Sequence, residues 1–172
     1  NQQLPAEHCI PFEENNSSTR ILHKGSDLTI ISNSYMLIEA LHAAEELKRH
    51  DIHAEVIEIA SPSHIDWEVI FKSVNKTGYC LSADIGHKSF SITSEVTARV
   101  TERCFENLKK APLRLGLPDI PEPTSFGLTR GYYQDRDSLL HYVEKLLGKK
   151  IPFQPLQKKL HDVPGEWFEG PF

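Results

Sequence analysis

The residue best suited to chemistry in this sequence is His87, which lies in the segment DIGHK at positions 84–88. A histidine can move protons near neutral pH or bind a metal, and Asp84 lies three residues before it. Most histidines in loops do neither. We therefore predict that four residues of this segment belong to an interface or to a loop at a strand end: Asp84, Gly86, His87 and Lys88.

A second candidate is the histidine pair His50 and His53, which has the spacing H-x-x-H. The pair straddles a predicted turn between a helix and a strand, and the other histidines are scattered, so we predict no metal site. Two of the three cysteines lie within apolar segments. We interpret all three as reduced thiols in a reducing compartment: Cys9, Cys80 and Cys104.

The segment SNS at 32–34 follows an apolar run, at the kind of position where an open parallel sheet binds its ligands. A dinucleotide site would need G-x-G-x-x-G there, but SNSYML contains no glycine. The phosphate-binding motif G-x-x-x-x-G-K and the nucleophile motif G-x-S-x-G are absent from the chain. These residues indicate no self-contained enzyme, and we expect no catalytic or cofactor-binding residues.

A strand and a helix that follow each other directly must position this segment. Residues 28–31 form a short apolar run, which is typical of a strand covered on both faces. Ser34 is predicted to cap the helix that follows. The apolar residues of that helix recur at helical spacing: Leu37, Ala40, Leu41, Ala44 and Leu47.

The same alternation continues downstream. Residues 54–59 are predicted to form a strand near an edge of the sheet, because Glu55 and Glu58 need water. The next helix is predicted to begin at the cap Asp66 and to end at Gly78.

A third unit carries the histidine. We predict a buried strand over 79–83, a loop over 84–91 and then a long helix. The apolar stripe of this helix is predicted to run from Ile92 to Leu108.

Three further segments complete the predicted fold. A strand at 113–117 is followed by an extended, proline-rich crossing at 118–123 that contains Asp119, and a last helix is predicted at 136–147. A short strand at 20–24 precedes a tight turn and should pair antiparallel. The alternation predicts a parallel sheet with helices on both faces.

Charge and hydropathy exclude two classes of partner. The chain has 172 residues and a formal net charge of −5, and its basic residues are scattered or paired with acids. This pattern argues against nucleic-acid binding and against a polybasic membrane anchor. No apolar run approaches the roughly 18 residues of a membrane-spanning helix, and the start has no signal-peptide pattern.

Both ends of the chain are predicted to lie outside the domain. Residues 1–19 read as an N-terminal arm or linker, and the start at Asn1 rather than Met suggests a piece of a longer protein. Residues 149–172 are rich in proline and aromatic residues. Disordered tails are usually poor in aromatic residues, so Trp167 and Phe168 are predicted to lie on a partner or on the parent protein.

Three segments, in this order, resemble the C-terminal domain of the transketolase family. They are most similar to the β subunit (E1 component) of the thiamine-diphosphate-dependent 2-oxo acid dehydrogenases. The segments are KGSDLTIISNSYMLIEALHAAEELKRHDIHAEVIEIASPSHID, then SVNKTGYCLSADIGHKSFSITSEVTARV, then PLRLGLPDIPEP. The resemblance covers residues 20–148, and the order and spacing of the motifs make the combination fairly specific.

This resemblance implies a three-layer α/β/α domain at 20–148, with a five-stranded, mostly parallel sheet whose antiparallel strand is the one at 20–24. It also implies that the domain binds no cofactor, because thiamine diphosphate and Mg²⁺ lie between two preceding domains in such enzymes. The chain has no match to their phosphate–magnesium motif or to their activating glutamate. We therefore expect part of an oxidoreductase that is not catalytic alone.

The resemblance also implies partners. In this family the C-terminal domain supports a subunit interface, so we expect a dimer with other domains or subunits of the parent enzyme. In the dehydrogenases it also helps to dock the acyltransferase (E2) core. The expected location is the cytoplasm, or the mitochondrial matrix if the source is eukaryotic.

Two departures from the family leave the substrate open between pyruvate and a branched-chain 2-oxo acid. The segment SFSIT at 89–93 replaces a glycine-rich stretch, and the extension from Lys149 is longer than usual. One alternative is the C-terminal domain of a transketolase or of a deoxyxylulose-phosphate synthase. Another is a free-standing α/β module that binds a small ligand near Ser32, Asn33 and His87.

Overall fold

The structure is a computed structural model that describes residues 18–125, 129 and 131–156. After the first strand, strands and helices alternate along the described chain. The strands are β1 Thr19–His23, β2 Leu28–Ser32, β3 Ala54–Ile59, β4 Cys80–His87 and β5 Leu113–Leu117. The helices are α1 Ser34–Lys48, α2 Trp67–Thr77, α3 Ile92–Cys104 and α4 Arg136–Leu147.

The five strands form one sheet in the order β1-β3-β2-β4-β5. β1 is antiparallel to β3, and every other neighbouring pair is parallel. The prediction of a five-stranded, mostly parallel sheet with one antiparallel strand is therefore confirmed. The connections that leave β2 and β3 run in opposite directions along the sheet, so the switch point lies between β2 and β4.

The turn KGSD between β1 and β2 packs against the start of β3. A Cβ atom on Gly25 would lie 2.3 Å from the backbone carbon of Ala54, so no residue with a side chain fits there. The N–H groups of Ser26 and Asp27 donate to the His53 carbonyl at 3.0 and 2.9 Å. This packing leads the chain away from a hairpin, and β1 pairs with β3 rather than with β2.

β3 lies second from one edge of the sheet, so the prediction that it lies nearer an edge is confirmed, but the predicted reason, that both of its acids need water, is wrong. β3 lies between β1 and β2, and basic side chains neutralise its two carboxylates. Glu55 is only 2% exposed and accepts a hydrogen bond from Lys76 Nζ at 2.5 Å. Glu58 accepts one from Arg20 Nε at 2.8 Å. An interior strand can hold these acids because neighbouring elements supply the counter-ions.

The predicted cap of α1 is also wrong. Ser34 is the first helical residue, and its φ of 48° lies in the left-handed region that is uncommon for residues other than glycine. The N-cap is Asn33, whose side chain makes no capping hydrogen bond. The apolar face of α1 is buried as predicted: Leu37, Ala40, Leu41, Ala44 and Leu47.

Helices cover both faces of the sheet, as predicted. α1 and α4 bury one apolar cluster, to which β2 contributes Leu28 and Ile30. α2 and α3 bury a second cluster on the opposite face, to which β2 contributes Ile31. All five residues of β2 are buried, so the strand predicted to be covered on both faces is the centre of the core.

α2 has the predicted ends, whereas α3 is shorter than predicted. The Asp66 side chain accepts from the Glu68 N–H at 3.2 Å, and Gly78 ends α2 with a φ of 75°. α3 ends at Cys104, and Leu108 follows a short 3-10 turn and packs against the second cluster. Within the described ranges, none of the helices has the length and apolarity needed to cross a membrane.

Cys80 and Cys104 are free thiols inside the second cluster, as predicted. Burial raises the pKa of Cys80 to about 12 and also raises the pKa of Cys104. Both thiols are therefore protonated and unreactive at neutral pH. Cys9 lies outside the described residues.

Candidate functional site

The carboxyl ends of the parallel strands meet at one edge of the sheet, which we call the carboxyl edge. Five residues of the predicted site lie there: Asp84, Gly86, His87, Lys88 and Asp119. The predicted loop over 84–91 is wrong in its first half, because β4 continues to His87. The chain stays extended there because His87 pairs with Leu117 of β5 after a shift in register.

Hydrogen bonds join the histidine segment (84–91) to the proline-rich crossing (118–123). Nδ1 of His87 lies 2.9 Å from the carbonyl oxygen of Pro118. The carboxylate of Asp119 accepts from the N–H of Ser89 at 3.0 Å and from its hydroxyl at 2.6 Å. These two bonds from Ser89 lower the pKa of Asp119. We refer to the Ser89 and Asp119 pair as the edge latch.

Two residues of β5 complete this arrangement, although neither stands out as a reactive group in the sequence. A Cβ atom on Gly116 would lie 2.9 Å from the Gly86 carbonyl oxygen and 3.1 Å from Lys88 Cα. Arg114 Nη1 donates to the Lys88 carbonyl at 3.1 Å and to the Ser94 hydroxyl at 2.6 Å. The glycine within LRLGL is the sequence signal of this close approach of two backbones.

The acid and the histidine of DIGHK do not act as a pair. Oδ1 of Asp84 accepts from the neighbouring Ile85 N–H at 2.7 Å, and no hydrogen bond or ion pair joins Asp84 to His87 among the described residues. Lys88 extends its Nζ atom over the Tyr142 ring of α4, 5.8 Å from the ring centroid. The edge therefore holds backbone segments together and contains no geometry for proton transfer between these groups.

A crevice lies at the switch point between β2 and β4, near the start of α3. Its volume is about 10 Å³, which is room for one water molecule. Two of its hydroxyls donate to carbonyl groups, Ser32 to Ala83 at 2.9 Å and Ser82 to Thr93 at 3.3 Å. Oδ1 of Asn33, also in the lining, is buried without a hydrogen-bond partner. A site this small does not fit thiamine diphosphate.

No group of three or more histidine, cysteine, aspartate or glutamate side chains in the described part of the chain could hold a metal ion. Of the predicted histidine pair, His50 lies just after α1, with its Nε2 atom 3.6 Å from a carboxylate oxygen of Glu46 in that helix. Trp167 and Phe168, the remaining predicted interface residues, lie outside the described residues.

The fold and the carboxyl edge define a three-layer α/β/α domain whose strand ends are joined to each other. The family model described as "Transketolase, C-terminal domain" matches residues 17–134. The chain belongs to this family, and the predicted family is thereby confirmed.

Relatives in the family are similar to this chain over part of their length. The β subunit of the pyruvate dehydrogenase E1 component of Chaetomium thermophilum, a mitochondrial protein, is 34% identical over 139 residues. The match covers 80% of this chain and 35% of that one. The 2-oxoisovalerate dehydrogenase β subunit of Bacillus subtilis is 36% identical over 101 residues, covering 59% and 31%. The chain thus spans about a third of the length of these curated relatives.

A solved structure described as a split-gene transketolase, an inactive β4 tetramer, has the same fold. Its TM-score is 0.66 and its sequence identity is 26%, with 83% of this chain and 45% of that chain covered. The resemblance therefore extends across the family, from 2-oxo acid dehydrogenase subunits to a transketolase.

Proposed function

We propose that this chain is the C-terminal assembly and docking domain of an E1 β subunit in a thiamine-diphosphate-dependent 2-oxo acid dehydrogenase. The observation that carries the proposal is its similarity to E1 β subunits of both the pyruvate and the 2-oxoisovalerate enzymes. The parent enzyme is accordingly an oxidoreductase that acts on pyruvate or on a branched-chain 2-oxo acid.

Each motif that carries the family resemblance has a structural role in this domain. This favours a domain that serves assembly rather than catalysis. The KGSD turn seats Gly25 against the start of β3. The GHK segment places His87 and Lys88 beside β5, with the Lys88 N–H donating to the Leu117 carbonyl at 2.9 Å. The PDIPEP crossing supplies Asp119 to the edge latch. These motifs use their polar groups to connect strand ends.

The cofactor belongs, in this proposal, to the preceding domains of the parent enzyme. Thiamine diphosphate with Mg²⁺ would there supply the carbanion chemistry of 2-oxo acid decarboxylation. Among the residues that the structure describes, those lining the crevice at the switch point do not fit it, since this crevice has the size of one water molecule. Its Ser32 and Ser82 hydroxyls already donate to protein carbonyls.

The proposed partners are other domains and subunits of the parent enzyme, in a dimer of such units, together with the acyltransferase core of the complex. We further propose three regions: an N-terminal arm at 1–19, the domain at 20–148 and an extension at 149–172. The first residues of the extension pack on the domain, since Ile151 is buried in the cluster of α1 and α4. The proposed location is the cytoplasm or the mitochondrial matrix, in line with relatives from bacteria and from mitochondria.

Assembly is tested in a chimera. The C-terminal domain of the Bacillus subtilis pyruvate dehydrogenase E1 β subunit is replaced by residues 18–172 of this chain, and complex formation is followed by size exclusion with light scattering. We expect the chimera to assemble with its partner subunits, whereas a β subunit truncated before the domain should not. A folded chimera that behaves like the truncated subunit would count against the proposal.

The C-terminal domain of a transketolase is the second candidate, and the structural similarity to the split-gene transketolase favours it. The same replacement made in that transketolase distinguishes the two. Assembly of the transketolase chimera without assembly of the dehydrogenase chimera would support the second candidate.

A further inference from the structure

The crevice at the switch point is lined by apolar side chains and by buried hydroxyl groups. β2, β3, β4 and α3 all contribute residues to it. Its hydroxyl-bearing residues, Ser32, Ser82 and Thr93, are each at most 2% exposed. Because a buried polar group costs free energy unless it makes a hydrogen bond, the bonds of these groups indicate what kind of molecule can bind there.

The serine hydroxyls of the lining have already used their protons. The Ser32 hydroxyl donates to the Ala83 carbonyl at 2.9 Å, and the Ser82 hydroxyl donates to the Thr93 carbonyl at 3.3 Å. The Thr93 hydroxyl lies 2.6 Å from the Ser91 hydroxyl and shares a hydrogen bond with it. A hydroxyl has one proton and two lone pairs, so both serines retain at least one lone pair that can accept a further bond.

Asn33 supplies a third acceptor to the crevice. Its Oδ1 atom is buried, and no donor among the described residues reaches it. Asn33 is the N-cap of α1, yet its side chain makes no capping hydrogen bond. The backbone is strained directly after it, since Ser34 has a left-handed φ of 48°. The amide oxygen of Asn33 therefore needs a donor that is not the helix it precedes.

Size and charge identify the ligand of this crevice. The volume of about 10 Å³ admits one group of the size of water. Three acceptors favour a hydrogen-bond donor over an anion. A cation would lose its hydration without a compensating carboxylate, because the lining contains no acid. The rest of the lining is apolar: Ile31, Ile59, Ala83, Ile92 and Val96. A neutral water molecule meets all of these conditions.

We propose that one water molecule binds in this crevice as an integral part of the fold. It donates one proton to Asn33 Oδ1 and the other to Ser32 Oγ, since Ser82 Oγ already has Thr97 Oγ1 at 3.4 Å as a further partner. The water connects the N-cap of α1 to the end of β2. The position at which open parallel sheets bind their ligands is thereby filled by an internal water molecule. This binding is the same whether the parent enzyme is a dehydrogenase or a transketolase.

Oxygen-17 relaxation dispersion of the solvent tests the proposal, because its amplitude counts the water molecules that remain inside the protein for longer than nanoseconds. Asn33→Leu removes the acceptor with little change in side-chain size and costs α1 no capping bond. We expect the amplitude of this variant to be lower by one water molecule than that of the unmodified 172-residue chain. A crystal structure of the unmodified chain should show an ordered water within hydrogen-bond distance of Asn33 Oδ1.

Asn75→Leu is the matched control, because Asn75 is an exposed residue of α2 whose amide oxygen accepts from Asn107 at 3.0 Å. It should leave the amplitude unchanged. Ser82→Thr provides a second variant in case Asn33→Leu does not fold, since it keeps the hydroxyl and adds a methyl group to the lining. We expect it to expel the water as well. Circular dichroism checks the fold of each variant.

Melting temperatures in sodium, potassium and ammonium chloride at equal ionic strength distinguish water from a cation, and we expect them to be equal. A rise with one of the three cations alone would place that cation in the crevice and overturn the proposal. A folded Asn33→Leu variant that keeps the full amplitude would also contradict it. So would a crystal structure in which Asn33 Oδ1 accepts from another protein group and no water lies beside it.

Discussion

Two proline-containing segments without regular structure lie against the same domain: the chain after α4 and the proline-rich crossing at 118–123. The first is held by buried contacts and the second by exposed ones. Residues 149–156, which we call the C-terminal strap, turn Ile151 and Phe153 toward the α1 and α4 cluster, where Ile151 is only 4% exposed. Buried carboxylates of α4, Asp137 and Glu144, accept hydrogen bonds from its N–H groups. The proline-rich crossing turns Ile120 outward, and its latch residue Asp119 is exposed.

This difference indicates that the two segments have different roles: one stabilises the fold, and the other positions side chains that face solvent. Apolar burial and buried, fully bonded carboxylates make the strap part of the core. Exposed hydrogen bonds contribute little to the stability of the fold, but they can fix the position of side chains that face solvent. The strap should therefore control unfolding, whereas the crossing should control what the carboxyl edge contacts.

Deleting the strap should have the largest effect. Removal of residues 151–172 strips Ile151 and Phe153 from the first cluster and takes one backbone hydrogen bond each from Asp137 and Glu144, so we expect a loss of more than about 3 kcal/mol in unfolding free energy. Urea unfolding measures it. Removal of residues 157–172 is the matched control and should cost far less. Equal losses in the two deletions would abolish the distinction between strap and extension.

Ile151→Ala should lower the unfolding free energy by about 2–4 kcal/mol, because a buried side chain is replaced by a cavity. Ile120→Ala should change it by less than about 0.5 kcal/mol, because that side chain is mostly exposed. Chemical denaturation of both variants gives the comparison directly. A larger loss for Ile120→Ala would show that the crossing belongs to the core.

Asp137→Ala should cost about 1–3 kcal/mol. The buried carboxylate bonds the Leu156 N–H at 2.7 Å and pairs with Arg136 at 2.9 Å, and both groups would lose that partner. Asp119→Ala, the counterpart on the crossing, should leave the melting temperature nearly unchanged while freeing Phe90 and Ile120 to move. Calorimetry measures the first effect and amide exchange at Ser89 the second. A marked drop in melting for Asp119→Ala would contradict this assignment.

The smallest expected effect is a dependence of the unfolding free energy on pH in the acidic range. The hydrogen bond from the Ile151 N–H, followed by contacts from His141 and Lys150, lowers the pKa of Glu144 from 4.5 to about 2. Because the pKa is lower in the folded state, this stabilisation is complete above about pH 4.5 and is lost as the pH falls toward 2. The stability difference between the chain and Glu144→Gln should shrink over that interval. A difference that stays constant from pH 6 to about 2 would exclude the mechanism.

Local patterns in the sequence were sufficient for the central elements. β2 was predictable because its apolar run is continuous, and α2 because Asp66 and Gly78 mark its ends. The burial of Glu55 in β3 was not predictable, because Lys76, its counter-ion, lies 21 residues away on another element. The prediction of Ser34 as the cap of α1 failed because the helix begins one residue earlier than expected, with Asn33 as the N-cap and Ser34 in a left-handed conformation.

The candidate site was predictable as two separate segments but not as one edge. Ser89 and Asp119 are 30 positions apart, and only the parallel pairing of β4 with β5 brings them together. The extension of β4 through His87 depends on Gly116 in the neighbouring strand β5. The segment DIGHK by itself therefore does not predict it. The path of the strap was not predictable from the sequence, because its apolar residues do not recur at a regular spacing. Side chains of α4 determine that path.

We propose that this domain supports a thiamine-dependent enzyme without binding the cofactor. The most direct test of this proposal is thermal unfolding of the 172-residue chain with and without thiamine diphosphate and Mg²⁺. A ligand at 100 times its Kd would stabilise the chain by about 2.7 kcal/mol. We predict an unchanged melting temperature; a clear rise that depends on both additions would contradict the claim.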